Sequence, residues 1–165
     1  MMSSYQFFKL LHELAAFWFI AGILGRQLAR RQAHRSTDIA AFTTLTGLAG
    51  RFESLMVIPG NLLVIVAGIV TAIIGRWPLF GFLQGAEANW LLVANLILLG
   101  GLLLVPLVYV PRGKKFDQAL QAAQTAGAIT PQLTTTLNDP VVKFAHLGEY
   151  LGLFVIIVLM VLKPF

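Results

Sequence analysis

The chain has 165 residues, 58% of them hydrophobic and 12% charged; a soluble domain carries about a quarter charged residues, so the composition points to a membrane protein. The absence of cysteine excludes disulfides, thiolate metal sites, iron–sulfur clusters and covalent c-type haem attachment. The net charge of +5 does not mark a nucleic-acid binder, because the basic residues sit at the ends of apolar runs and form no basic face interleaved with exposed aromatics.

Four stretches supply the about 20 apolar residues that a transmembrane helix needs. They cover residues 5–25, 55–75, 90–110 and 141–162 of a single transmembrane domain. The sequence therefore predicts an all-α, four-helix integral membrane bundle. The first stretch lacks a basic n-region and a small-residue cleavage site, so it reads as a span and not as a signal peptide. It holds His12 and Glu13. Glu13 points about 100° away from His12 around the helix and reads as a polar end group. "RQLARRQAHR" follows.

The second segment has no strong breaker from Asp38 to Pro59. It predicts a helix that begins outside the membrane, enters it and kinks near Pro59, whose ring removes the donor for the Leu55 carbonyl. The next connection, "GRWPLFGFLQGAEANW", offers Trp77, Phe80, Phe82 and Trp90 as interfacial anchors. Asn61 and Asn95 read as hydrogen-bonding glue between helices. After the third span, Phe116, Ala119, Leu120 and Ala123 recur at helical spacing before Gly127. They predict a short amphipathic cytoplasmic helix lying against the membrane. Thr130-Pro131 and Asp139-Pro140 are cap-then-proline helix starts. In the fourth span Lys143 can snorkel to the surface. Small residues four apart (Ala21 and Gly25, Gly68 and Ala72, Gly148 and Gly152) allow close helix approach.

Nine basic residues (Arg26, Arg30, Arg31, Arg35, Arg51, Arg112, Lys114, Lys115 and Lys143) fall at one end of the spans. Only Lys9, Arg76 and Lys163 fall at the other. The positive-inside rule places both termini outside and both long connections in the cytoplasm.

Ionisable side chains inside a membrane are costly and face a bundle interior or a cavity. His12 and His146 are the candidate cofactor ligands, since imidazole ligates haem iron and other metals. A di-iron carboxylate site needs two His/Glu pairs and further glutamates, and only His146 and Glu149 form such a pair. A copper relay would want clustered methionines; Met1, Met2, Met56 and Met160 form no cluster. His12 and His146 differ in depth by roughly 13–14 Å at 1.5 Å per residue. A haem shared between them would have to tilt, and His12 alone is the easier ligand. His146, Glu149 and Tyr150 lie on one helical face. With Arg51 or Glu53 from the second span they predict a polar cluster, either a structural clasp or a proton path.

"FKLLHELAAFWFIAG" resembles the first span of the HemJ protoporphyrinogen oxidase family in Lys9, His12, Trp18, Phe19 and Gly22. "GRFESLMVIPG" is similar to that family's entry to span two, in Arg51, Glu53, Leu55 and Pro59. "LNDP" at Leu137 to Pro140 and the final "LKPF" are similar to its later motifs. The resemblance runs through all four spans in order. It implies a b-type haem with His12 on the iron, a redox role related to porphyrinogen oxidation, and a bacterial-type inner membrane. The chain departs from the pattern in span three: Leu92, Val93 and Ala94 follow Trp90 and Leu91, where the family carries a histidine and a lysine. It departs again in the span-four insertion "VVKFAHLGEYLG". These departures place it with a related family of predicted integral membrane proteins in the superfamily of HemJ and the copper-resistance protein CopD. Two other functions stay open: a non-catalytic membrane subunit or scaffold, and a small ion or metal transporter. The expected partners are the lipid bilayer and a second copy or a membrane-complex partner.

Overall fold

Ser3 starts the first helix of the computed structural model, which describes residues 2–165. Its hydroxyl accepts from the Gln6 amide while the Gln6 side chain accepts from the Ser3 amide, a capping box that satisfies two otherwise unpaired donors. Helix α1 (Ser4–Arg35) runs for 32 residues, about 48 Å. A bilayer's hydrocarbon core is about 30 Å thick. The expected span stops near residue 25, but the helix carries on because the Arg, Gln, Leu and Ala of the basic cluster are strong helix formers. Asp38 then caps α2 (Ile39–Phe52), accepting from the Ala41 amide at 2.8 Å.

No break follows α2. Glu53–Val57 form a π turn, and α3 (Ile58–Ile74) continues from it. The Ile58 N–H donates to the Glu53 carbonyl five residues back, and Pro59 comes next. A proline has no N–H to give, and the π turn takes up one extra residue just ahead of it. The disturbance expected at Pro59 is thus a widened turn upstream of the ring. Helix α1 packs along α2, the π turn and α3 to form a compact unit ending at Trp77. Facing positions set its antiparallel register: Gly25 meets Phe52, Gly22 meets Met56, Phe19 meets Gly60 and His12 meets Gly68. Ile23 and Phe42 are its largest fully buried side chains.

The second compact unit is Pro78–Phe165. Its entry carries a 3₁₀ turn, Gly81–Gln84, that exposes Phe80, Phe82 and Leu83. Trp90 corrects the expectation of an interfacial anchor: it is buried, with the Lys163 ammonium 5.6 Å from its ring centroid. Asn95 corrects a second one. Its Nδ2 donates to the Leu79 carbonyl at 2.9 Å and so pins the connection, not a neighbouring helix. Trp90 opens α4 (Trp90–Leu104), whose first amides are met from the far end of the unit. The Phe165 carbonyl oxygen accepts from Asn89 and Trp90 at 2.9 and 3.1 Å.

A second π turn, Val105–Tyr109, joins α4 to α5 (Val110–Ala126), and again one residue separates it from a proline, Pro111. The amphipathic helix expected between the third and fourth spans is α5, but it grows directly out of the third span. Its buried positions, Ala119 and Ala123, lie where α5 packs on α6 (Pro131–Leu137), whose buried residue is Leu133. That face is therefore covered by protein and not laid on lipid. Gly127 ends α5 at φ 66°, the left-handed cap that glycine takes without strain. Thr130 caps α6 and Asp139 caps α7 (Pro140–Leu162), each by its side chain, as the cap-then-proline pattern predicts. Gly152 lets α7 approach Ile97 on α4, while Gly148 faces open space instead of a neighbour.

Four stretches are long and apolar enough to cross a membrane: Ser4–Arg35, Ile39–Ile74, Trp90–Ala126 and Pro131–Leu162. Their outer faces carry large apolar side chains, among them Phe17 at 70% and Phe144 at 74% exposure. Contiguous apolar surface on this scale suits lipid and not water.

Candidate functional site

His12 is the first polar residue that the fold places. It is half-buried on the face of α1 that packs on α3, and its Nδ1 lies 2.9 Å from the Val64 carbonyl oxygen. A carbonyl only accepts, so in the neutral ring Nδ1 carries the proton and Nε2 keeps its lone pair. Gly68 makes the contact possible. A Cβ there would stand 2.9 Å from His12 Cε1 and 3.0 Å from Nδ1, but 3.9 Å from Nε2. The ring thus rests its Nδ1–Cε1 edge on α3, and Nε2 lies on the side away from it. Glu13 is 3.8 Å from Lys9 in an exposed i,i+4 pair, in line with a polar end group and not a partner of His12.

Two turns beyond Phe19 on α1, Arg26 is 4% exposed and donates from Nη1 to Glu53 Oε2 at 2.6 Å. Glu53 is the first residue of the π turn, so this ion pair fastens the turn to α1. Arg51, two residues earlier, is exposed.

In the second unit, His146 and Glu149 come together one helical turn apart, Nδ1 to Oε2 at 3.0 Å. Tyr109, the last residue of the second π turn, closes this cluster. Its hydroxyl is 3.3 Å from His146 Nδ1 and donates to Glu149 Oε2 at 3.5 Å. The imidazole stacks on Tyr109 at 5.0 Å between centroids and on Tyr150 at 6.4 Å. The side chains of His146 and Glu149 are only 12% and 19% exposed. One turn towards the basic end, Arg112 Nε donates to Asp139 Oδ2 at 2.9 Å, tying α5 to the cap of α7. Tyr109 closes the cluster where the sequence predicts Arg51 or Glu53. Glu53 is instead the partner of Arg26, because the register of the first unit brings the π turn opposite Gly22 to Arg26.

A sequence profile described as predicted integral membrane protein (DUF2269) matches residues 6–164. The chain belongs to the DUF2269 family. No curated protein and no solved structure matches it. The DUF2269 match takes in both units and every residue of both polar clusters.

Two functional residues of this DUF2269 chain, Arg26 and Tyr109, are not marked out by their sequence context. Arg26 opens a run of basic residues and counts as one of the loop charges. Its spacing tells otherwise, since Ala15, Gly22, Arg26, Ala29 and Ala33 fall on one buried stripe of α1. Tyr109 sits in an apolar run, and its only signal is the X-Pro that follows one residue later.

Proposed function

We propose that the chain is a b-type haem protein of a bacterial-type inner membrane, with His12 as the residue that would hold the iron, and a redox role. The hydrogen bond from His12 Nδ1 to the Val64 carbonyl carries this reading. Metal-ligating histidines are oriented by such a hydrogen bond from one ring nitrogen, which fixes the tautomer and leaves the other nitrogen for the metal. The likeness of the first span to HemJ points to the same residue. Haem takes only one or two protein ligands, so this reading asks for no cluster of ligands around His12. Bound haem would supply one-electron chemistry. This chain's own part is to hold the imidazole by Val64 and to seat it on Gly68. His146 belongs to the polar cluster in this reading, because Glu149 engages its Nδ1 and two tyrosines flank its ring. The nine-to-three distribution of basic residues supports periplasmic termini and cytoplasmic basic connections.

A non-catalytic membrane subunit or scaffold is the second reading. It is favoured by the way Arg26–Glu53 and Tyr109–His146–Glu149 each tie together the two long helices of a single unit. An absorption spectrum of protein purified in mild detergent from haem-replete cells separates the two. The first reading expects a Soret band that sharpens and shifts on reduction, and its loss in His12→Ala. Glu149→Gln should keep the band and lower thermal stability; unchanged stability would mark that cluster as a proton path instead of a clasp. A colourless, folded preparation removes the haem reading and leaves the scaffold.

A further inference from the structure

The end of α2 and the π turn line a groove on the outside of the first unit. Its walls are Leu48, Arg51, Phe52, Leu55 and Met56, around a shallow, open volume of about 230 Å³. All the walls are apolar except Arg51. The Arg51 guanidinium makes no hydrogen bond or ion pair with any described residue, and the nearest carboxylate in sequence, Glu53, is taken by Arg26 at 2.6 Å. A guanidinium keeps its charge at any accessible pH and offers a fork of donors that suits phosphate.

Depth gives the groove its meaning. Counting back from Ile74, the end of α3, Leu55 lies about 28 Å away and Arg51 about 34 Å away at 1.5 Å per residue. The hydrocarbon core is about 30 Å thick. Leu55 therefore falls at its far edge, and Arg51 about one helical turn beyond, at the level of the lipid phosphates. Arg31 and Arg35, both exposed, lie at this same end of the unit and add positive potential that disfavours a headgroup carrying its own cation.

We infer that this groove holds an anionic phospholipid, with its phosphate on Arg51 and an acyl chain along Phe52, Leu55 and Met56. The inference rests on the membrane assignment and not on haem. It is tested by the thermal unfolding of the detergent-purified full chain, titrated separately with dioleoylphosphatidylglycerol, dioleoylphosphatidylcholine and inorganic phosphate. Phosphatidylglycerol should raise the unfolding temperature saturably. Phosphatidylcholine should act weakly, and inorganic phosphate, lacking the chain, should not act at all. Arg51→Gln should need about tenfold more phosphatidylglycerol for the same rise, the equivalent of losing one charge-assisted contact. Leu55→Ser should also weaken the response. Equal stabilisation by the two lipids, or by inorganic phosphate alone, overturns the proposal. So does an Arg51→Gln response matching that of the parent chain. Should Arg51→Gln fail to fold, the lipid comparison on the parent chain decides by itself.

Discussion

Arg26 and Glu53 are unequal partners. Arg26 is 4% exposed while the Glu53 side chain is 39% exposed. Removing the carboxylate takes the 2.6 Å acceptor from a buried guanidinium that keeps its charge, a loss of about 2–3 kcal/mol. Removing the guanidinium leaves a carboxylate that water can reach, and the loss should be nearer to that of a surface pair, about 1 kcal/mol. Glu53→Gln is therefore expected to destabilise more than Arg26→Met when unfolding is followed in detergent; equal losses would show that burial does not set the energetics of this pair. The same asymmetry explains what could be read in the sequence. His12, His146 and Glu149 stand out because they are ionisable inside apolar runs. Arg26 is camouflaged by the arginines after it, and only the periodicity of the small residues on α1 separates it from them. Tyr109 carries no charge to flag it, so its place beside His146 emerges only once α4 and α7 are packed together.

At the level of elements, the two π turns share one grammar. Each is five residues long, each is followed by a single residue and then proline, and each contributes a polar side chain to a cluster. A π turn amounts to one residue inserted into an α-helix, so it can give that residue back. Deleting Ser54 should leave α2 and α3 in register and yield a monodisperse, folded protein in detergent gel filtration. Deleting Val66 from the regular part of α3 should not, because each later residue then turns by about 100° and Gly68 leaves His12. Aggregation of the Ser54 deletion, with the Val66 deletion tolerated, would contradict this account. The helix ends were legible from the sequence, since Asp38, Thr130, Asp139 and Gly127 act through local chemistry. The π turns were not. Proline announces that one hydrogen bond is missing, but whether the chain kinks or widens depends on what the neighbouring helix offers. In the first unit α1 offers Arg26.

Across the whole molecule, the orientation proposed from the basic residues is open to a direct test. Because the chain has no cysteine, single cysteines report without background. One at Ser4 should react with an impermeant maleimide added from the periplasmic side, and one at Gln32 only after the cytoplasmic side is opened. Labelling of both from one side would break the assignment of α1 as a span. The four spans were legible because hydropathy is summed over about 20 residues; the meeting of Phe165 with the start of α4 was not, since 75 residues separate Trp90 from Phe165 and no local pattern joins them. That meeting also sets a clock. At synthesis rates of about 5–20 residues per second, those residues take about 4–15 s to be made. Throughout that interval the first turn of α4 exists without the carbonyl that accepts its amides. Helix α4 must therefore enter the bilayer on its hydropathy while its entrance is still loose, and the second unit closes from its far end last. Slowing translation downstream of Trp90 would lengthen this open period, and with it the exposure of the nascent chain to proteases.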